Sequence, residues 1–273
     1  MKFIDLFAGI GGFSLGFEQA GLICISQVEN NPYCLKILNK RWPNVKKYNN
    51  VENVGGHNLE YADIICGGFP CQDISNARFG SRDGLAGSRS GLWFEFARTV
   101  DEVAPEWVII ENNPPLLTSS NGRDFATIIS TLVEYGYGVC WRILHAKDFD
   151  CPTSRRRLFI VARLSDVRGP SRILFERNQV GSVLPRTPSR ENNLPMCLGW
   201  DGGLSYERLR QCVITKTDPT GARSGKRLSG KLDKLRYRAI SNAVNPPIAK
   251  WIGDGIMEVM SNERLRSASV SWR

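Results

Sequence analysis

The chain has 273 residues, a formal net charge of +9 at neutral pH and a sequence pI of about 9.3. This length is enough to bury one substantial hydrophobic core and to add a small lobe. No apolar run approaches the roughly 20 residues that a membrane-spanning helix needs, so we expect no membrane partner. A basic chain favours a polyanionic partner, although charge alone does not identify one.

Neither cysteine nor histidine spacing indicates a metal site. The chain enters a predicted strand at Lys2, so we expect no signal peptide and a cytoplasmic location. The eight cysteines include no Cys-x-x-Cys pair, and we expect them to be reduced. His57 and His145 have no Cys or His at metal-ligand spacing, so no metal is expected.

Strand-like and helix-like segments alternate through the first 163 residues. Apolar and β-branched runs predict strands at Lys2–Phe7, Leu22–Val28, Ala62–Cys66, Trp107–Ile110, Tyr137–Leu144 and Leu158–Ala162. Amphipathic segments predict helices at Phe13–Ala20, Pro32–Arg41, Leu92–Val103, Phe125–Tyr135 and, near the end of the chain, Ala249–Met260. This alternation is typical of an α/β fold with a mostly parallel sheet and helices on both faces. The last two strands predict an antiparallel hairpin at one edge.

The character of the sequence changes after Arg163. Five prolines between residues 170 and 219 break the segment into short pieces, and basic residues become dense. We therefore predict a main α/β domain over residues 1–163 and a small irregular lobe over 164–235. Residues 236–261 are predicted to return to the main domain, and 262–273 to form a flexible tail.

A glycine-rich turn follows the first predicted strand. Gly9, Gly11 and Gly12 let the backbone approach a ligand closely, and the next helix offers free N–H groups to an anionic end. Glu29 ends the second strand, where an acid can bond ribose hydroxyls. The alternative is that these glycines serve only as a tight turn.

Cys71 follows Pro70 at the carboxyl end of the third predicted strand, where open α/β sheets bind ligands. A thiolate is the most nucleophilic side chain at neutral pH. A buried structural cysteine is the alternative. The run Gly67-Gly68-Phe69-Pro70-Cys71-Gln72 is poor scaffolding for packing alone, so we favour a nucleophile.

Charged residues mark the ends of two further strands. Glu111 closes the fourth strand, where burial can keep a carboxyl protonated for donation to a ring nitrogen. The alternative for Glu111 is a loop or capping acid. Strand alternation places Arg155 and Arg157 on one face and Arg156 on the other. A solvated basic edge explains Arg156 better than it explains the other two.

In chain order these residues resemble the DNA (cytosine-5)-methyltransferase family. The turn from Asp5 to Gly12 is similar to the family's S-adenosylmethionine-binding motif. Phe69-Pro70-Cys71-Gln72 is similar to its catalytic Pro-Cys loop, and Glu111-Asn112 to the start of its Glu-Asn-Val motif.

Later segments extend the resemblance. Arg155-x-Arg157 matches the end of the Gln-x-Arg-x-Arg motif, and Ser241-Asn242-Ala243-Val244-x-Pro246 is similar to the final Gly-Asn-x-Val-x-Pro motif. Arg89-x-Gly91-Leu92 resembles the arginine that follows the family's mobile loop. The matched segments cover residues 1–163 and 235–260. In family terms, residues 1–163 would be the catalytic and cofactor-binding domain and 164–235 a short target-recognition lobe.

The resemblance implies a fold and a set of site residues. The fold would be that of S-adenosylmethionine-dependent, Rossmann-like methyltransferases. Cys71 would add to carbon 6 of a flipped cytosine, Glu111 would donate to N3, and Arg157 with Arg155 would hold O2. The cofactor would contact Phe7, Gly9, Gly11, Gly12, Glu29, Asn50, Pro70 and Asn242. Asn50 stands where the family usually has an Asp that contacts the cofactor's adenine.

The resemblance also implies partners. Double-stranded DNA would be the substrate, a restriction endonuclease is a candidate partner, and we expect a monomer. DNA-contacting residues are predicted at Arg89, Arg208, Arg210, Lys226 and Arg227, although a solvated basic loop is the alternative for the segment from Arg208 to Arg238. No motif of the family's Arg-x-Leu-Thr type is present between Arg163 and Leu235.

Two other functions remain open from the sequence, and a third is disfavoured. A tRNA cytosine-5 methyltransferase shares the catalytic parts, because these do not specify the polymer. A catalytically attenuated DNA-binding relative is the non-enzymatic alternative. An enzyme of the thymidylate synthase type would need a Pro-Cys-His turn, whereas Gln72 follows Cys71 here.

Overall fold

The computed structural model describes residues 1–70, 91–151, 153–177, 197–198 and 231–270. Its strands are β1 (Lys2–Leu6), β2 (Ile23–Val28), β3 (Lys46–Tyr48), β4 (Ile64–Gly67), β5 (Trp107–Asn112), β6 (Tyr137–His145), β7 (Arg156–Leu164) and β8 (Cys197–Leu198). Its α-helices are α1 (Gly12–Gln19), α2 (Pro32–Arg41), α3 (Leu92–Val103), α4 (Arg123–Glu134), α5 (Arg168–Ser171), α6 (Lys231–Asn242) and α7 (Pro246–Val270). Short 3₁₀ or π segments lie at Val51–Asn53, Pro114–Gly122, Ala146–Phe149 and Arg172–Glu176.

The described strands form one eight-stranded mixed sheet in the order β3-β2-β1-β4-β5-β7-β6-β8. β1 to β5 run parallel to one another, and β7 is antiparallel to both β5 and β6. The chain moves outward from β1 to β3 and then returns to β4 on the other side of β1. The carboxyl ends of β1 and β4 therefore flank the crevice in which open α/β sheets bind ligands.

The central strands are buried on both faces. Phe3 and Trp107 belong to one hydrophobic cluster, whereas their chain neighbours Ile4 and Val108 belong to another. One cluster contains residues of α3 and α4, and the other contains residues of α1 and α7. Near-continuous apolar strands of this kind are typical of parallel sheets covered on both sides. The predicted α/β fold is confirmed.

The antiparallel hairpin is confirmed, and one feature of the sheet differs from the sequence-based prediction. Within the hairpin β7 lies inside and pairs with β5, while β6 lies further out and pairs with β8. In this inner position Leu158–Ala162 is wholly buried. The prediction missed β3, whose three residues, Lys46–Tyr48, contain no apolar run.

Helices α1 and α7 pack at the distance of direct backbone contact. A Cβ built on Gly16 would lie 2.4 Å from the Pro246 carbonyl oxygen and 2.6 Å from the Ala249 Cβ. A Cβ built on Gly253 would lie 2.8 Å from the Ala20 Cβ. Small residues on both helices therefore let the C-terminal helix lie directly on the helix that follows the first turn.

The distal part of α7 is tied to the sheet by Arg163, at the end of β7. Its guanidinium lies 2.6 Å from the Glu263 carboxylate and 2.7 Å from that of Glu106, and it stacks on the Trp107 ring at 4.9 Å. Residues 262–270, for which we expected a flexible tail, are instead the last turns of α7. The ion pair with Glu263 is the long-range contact that the sequence did not indicate.

The cysteines follow the expectation at four positions. Cys24, Cys34, Cys66 and Cys151 are free thiols. Cys140 is disulfide-bonded, which corrects the expectation that every cysteine is reduced. Its register partner across the β6–β8 pair is Cys197.

Among the described helices, none combines the length and the apolar character required to cross a membrane.

Replacing Gly16 by alanine has two opposing effects on the stability of the protein. Alanine is the better helix former by about 1 kcal/mol. Its methyl group, however, would meet backbone atoms of Pro246, which cannot rotate away. We expect the overlap to dominate, so that Gly16→Ala lowers the free energy of unfolding by about 1–3 kcal/mol, as measured by urea denaturation.

Gly255→Ala is the matched control. Gly255 is also a glycine within a helix, but the atoms nearest to its Cβ are side-chain atoms of Arg177 and Ile173 at 2.8 to 3.1 Å, which give way more readily than a backbone carbonyl 2.4 Å away. We expect this variant to stay within about 1 kcal/mol of the parent. A Gly16→Ala protein as stable as the parent would contradict the close packing of α1 on α7.

Candidate active site

The first turn, between β1 and α1, follows a strained backbone path. Phe7, Gly9 and Gly11 have φ angles of 56°, 56° and 85°. Non-glycine residues such as Phe7 rarely adopt this left-handed region, and such strain often marks a functional site. The Gly9 N–H donates to Glu29 Oε2 at 2.7 Å. No described atom lies within 4 Å of a Cβ built on Gly9, so the space in front of the turn is open to a ligand.

Gly11 and Gly12 face the protein itself. A Cβ on Gly11 would lie 2.4 Å from the ring of Trp42, and a Cβ on Gly12 would lie 2.2 Å from the Val244 carbonyl oxygen. Any side chain here would push the end of α2 or the segment before α7 away from the turn. Packing therefore accounts for both glycines, and their predicted contact with a cofactor stays a prediction.

Glu29 and Asn50 are both held in place by local backbone groups. Glu29 Oε1 accepts the Asn31 N–H at 2.7 Å, in addition to the contact of its second oxygen with Gly9. Each carboxylate oxygen keeps capacity for another hydrogen bond. Asn50 is exposed, and its Oδ1 accepts the Glu52 N–H at 3.1 Å, which caps the short helix that follows. The two side chains are thus oriented and accessible.

Asp5 lies directly beneath the first turn and is only 1% exposed. Its Oδ2 accepts the Ser14 N–H at 3.1 Å and the Ser14 hydroxyl at 2.7 Å. It therefore caps α1 from a distance, because the N-cap residue, Gly11, has no side chain. Burial raises the pKa of Asp5 to about 7, although both hydrogen bonds oppose the shift. This role of Asp5 was missed from the sequence, where the available signal was a charged residue inside an apolar strand.

The loop that leads to the predicted nucleophile starts beside β5. A Cβ built on Gly68 would lie 3.0 Å from Glu111 Oε2, so this backbone passes directly over the carboxylate. Pro70 is the last described residue before the gap. Cys71 itself lies outside the described residues, and its position stays a prediction.

Asn112 fixes the backbone of this loop and was missed as a functional residue. Its Nδ2 lies 3.5 Å from the Phe69 carbonyl oxygen, and its Oδ1 accepts the Asn113 N–H at 2.7 Å. The Phe69 ring packs on Trp93 and Phe96 at centroid distances of 5.5 and 6.3 Å. The available signal was a polar residue at the end of an otherwise apolar strand.

Glu111 is a buried carboxylate paired with two arginines. Its Oε1 lies 2.9 Å from Arg157 Nε and 3.7 Å from Arg155 Nη2. Burial raises the pKa of Glu111 above its usual value, although Arg157 and then Arg155 oppose this. Burial, followed by the nearby Arg157, lowers the pKa of Arg155 to about 10. Glu111 therefore retains a proton more readily than an exposed carboxyl, which suits a hydrogen-bond donor.

The arginines also contact the C-terminus of α6. Arg155 and Arg157 are partly buried and Arg156 is exposed, as strand alternation predicts. Arg155 Nη1 donates to the Ile240 carbonyl at 3.3 Å, and Arg157 Nη2 to the Ser241 carbonyl at 3.5 Å. The last carbonyls of a helix lack helical partners and carry partial negative charge. The two arginines thus join Glu111 to the C-terminal segment.

A groove of about 620 Å³ opens between the first turn, α2 and the segment that joins α6 to α7. Trp42, Arg155 and Ala243 are among its lining residues. Of the predicted cofactor residues, only Gly11 and Gly12 line it. Asn242, also predicted to contact the cofactor, is exposed at the end of α6.

Several predicted site residues cannot be placed. Those outside the described ranges are Cys71, Arg89, Arg208, Arg210, Lys226 and Arg227. Within the part of the chain that the structure describes, no group of three or more His, Cys, Asp or Glu side chains could hold a metal ion.

The sequence of this chain is similar to those of several known proteins. The chain is 28% identical to the type II methyltransferase M2.BsuMI of Bacillus subtilis, over 94% of this chain and 76% of that protein. It is 34% identical to the type II methyltransferase M1.ScrFI of Lactococcus lactis, over 74% of this chain and 52% of that protein. For seven such relatives, M1.ScrFI among them, the chain spans between 41% and 52% of their length.

The fold also matches a solved structure. The Entamoeba histolytica methyltransferase EhMeth superposes with a TM-score of 0.61 at 15% identity, covering 95% of this chain and 98% of that one. The family described as C-5 cytosine-specific DNA methylase matches residues 1–190, which is most of the chain and includes every motif up to Arg157. The resemblance seen in the sequence is confirmed, and the chain belongs to the C-5 cytosine-specific DNA methylase family.

Proposed function

We propose that this chain transfers the methyl group of S-adenosylmethionine to carbon 5 of a cytosine in double-stranded DNA, through a covalent bond to Cys71. One observation carries the proposal. Glu111, a buried carboxyl with a raised pKa, lies 2.9 Å from Arg157 beside the backbone that leads to Cys71. Membership of the family and relatives named as type II methyltransferases support the reaction.

The described residues fit S-adenosylmethionine. Open space faces Gly9, and the Glu29 carboxylate at the end of β2 keeps acceptor capacity for ribose hydroxyls. Phe7, Pro70 and Asn242 complete the predicted contacts, and the Asn50 amide oxygen would accept from the adenine. When bound, S-adenosylmethionine supplies an electrophilic methyl group.

The residues of this chain would make cytosine nucleophilic. Carbon 5 of cytosine is too electron-poor to take a methyl group directly, and the base must leave the duplex stack to be reached. The Cys71 thiolate would add to carbon 6, which turns the ring into an enamine-like nucleophile at carbon 5. Glu111 would donate to N3 and stabilise the adduct, while Arg157 and Arg155 hold O2.

The last step of the reaction releases the Cys71 thiol from the base. After carbon 5 has been methylated, a water molecule would take the proton from carbon 5, the electrons of that carbon–hydrogen bond would return to the ring, and Cys71 would be expelled. The carbon 6–sulfur bond breaks in this step, and the free thiolate is restored.

DNA is the substrate that the family favours over tRNA. The contacts would come from Arg89, Arg208, Arg210, Lys226 and Arg227, with a restriction endonuclease as candidate partner and a monomer as the acting species. An attenuated relative is disfavoured because Glu111, Arg155 and Arg157 are assembled together.

Covalent trapping tests the role of Cys71. In duplex DNA of varied sequence with 5-fluorocytosine at every cytosine, whichever cytosine is the target carries fluorine at carbon 5. The fluorine cannot be lost as a proton is, so the covalent adduct persists. We expect a denaturation-resistant protein–DNA adduct that requires S-adenosylmethionine and is absent from Cys71→Ser. Gel electrophoresis under denaturing conditions measures it.

Cys151→Ser is the control. The Cys151 thiol donates to Asn245 Oδ1 at 3.3 Å and to the Phe149 carbonyl, and a hydroxyl can replace both contacts. This variant should form the adduct at the parental level. An adduct that persists in Cys71→Ser, or is lacking in the parent, would contradict the mechanism.

The pH profile tests Glu111. A neutral Glu111 is the donor, so the methylation rate should fall as pH rises through its raised pKa. Formation of the Cys71 thiolate with rising pH acts in the opposite direction and gives the rising limb of the profile. We expect Glu111→Gln to lower the single-turnover rate by about 10²–10⁴-fold. The falling alkaline limb should disappear, because glutamine does not titrate.

Glu106→Gln provides the comparison for this profile, since Glu106 pairs with Arg163 away from the site. Glu106→Gln should leave the rising and falling limbs of the pH–rate profile at the same pH values as in the parent. An alkaline limb that stays in place in Glu111→Gln would show that another group titrates.

A further inference from the structure

The segment after β3 carries Asn50 and is held by its own side chains. Asn58 Oδ1 accepts the Gly55 N–H at 3.1 Å, and Asn58 Nδ2 donates to the Asn53 carbonyl at 2.7 Å. Val51 and Val54 are buried in the core. These hydrogen bonds hold the segment together, and the two valines anchor it to the core.

Arg98, on α3, attaches the segment to the body of the protein. Its Nη2 donates to the Val51 carbonyl at 3.1 Å and to the Val54 carbonyl at 2.8 Å. Its Nε donates to Glu95 Oε2 at 2.9 Å, and its Nη1 to Glu102 Oε1 at 2.8 Å. The carboxylates fix the guanidinium on α3, and the remaining nitrogen holds two carbonyls of the segment.

The backbone is shaped around this arginine and its partner. Glu102 Oε2 accepts the Gly56 N–H at 3.0 Å. A Cβ built on Gly55 would lie 1.9 Å from that same oxygen and 2.9 Å from Arg98 Nη1. Only glycine at this position lets the segment close onto the Arg98–Glu102 pair.

We infer that Arg98 is a positioning residue for the cofactor, which sets its affinity by holding Val51–Val54 and thereby orienting Asn50. The inference rests on the proposed function, because it takes Asn50 to contact the adenine. Arg98 bonds the Val51 and Val54 carbonyls and would act on the cofactor only through the segment.

The geometry requires arginine. A guanidinium presents several N–H groups in a fixed plane, so it serves two carboxylates and two carbonyls together. A lysine ammonium is a single point of charge and would reach only some of these four groups.

Calorimetric titration of the full chain with S-adenosylmethionine tests the inference. We expect Arg98→Met to weaken binding by about tenfold, the equivalent of one charge-assisted hydrogen bond, with Arg98→Lys between this variant and the parent. The KM for S-adenosylmethionine should rise in parallel, while kcat at saturating cofactor stays within about twofold. Gly55→Ala should shift affinity in the same direction.

Arg163→Met is the matched control. Arg163 is another arginine that joins several carboxylates, namely those of Glu106, Asp166 and Glu263, but none of its hydrogen bonds or ion pairs with described residues reaches the segment. It should lower the melting temperature without changing cofactor affinity.

Two results would overturn the inference. One is parental affinity in a folded Arg98→Met protein, which would leave the proposed function intact. The other is an equal loss of affinity in Arg163→Met, which would reduce the effect to general stability. A parent chain that binds no S-adenosylmethionine would contradict the proposed function as well.

Discussion

The close packing of α7 on α1 is the constraint on which the rest of the site depends. At Gly16 the two helices approach so closely that a single methyl group would overlap the Pro246 carbonyl. Gly12 makes the same approach to Val244. The chain segment before α7 is thereby brought against the first turn. As a result, the end of α6 presents carbonyls to Arg155 and Arg157.

Burial at the strand ends then sets the chemistry. Glu111 lies between two arginines, and burial nonetheless raises its pKa. The same desolvation lowers the pKa of Arg155. A carboxyl that can stay protonated can donate a hydrogen bond to the ring nitrogen of a nucleobase. The fixed cations beside it can bond the carbonyl oxygen of the same nucleobase. Asn112 adds the link to the loop backbone through the Phe69 carbonyl.

The parts of the sheet and the site that could be predicted are those marked by a residue pattern within a single strand or turn. The apolar strand ending in Glu111 and the alternation of Arg155 and Arg157 are of this kind. Contacts between distant segments carry no local pattern. The packing role of Gly11 and the ion pair of Arg163 with Glu263, within the segment predicted as a tail, therefore emerged only from the structure.

The most direct test of the central claim is the chemical identity of the methylated nucleoside. The purified chain is incubated with duplex DNA and isotopically labelled S-adenosylmethionine, and the digested DNA is analysed by mass spectrometry. The account predicts label in 5-methyl-2′-deoxycytidine. Label in N4-methylcytosine or N6-methyladenine, or label only when tRNA replaces DNA, would contradict it.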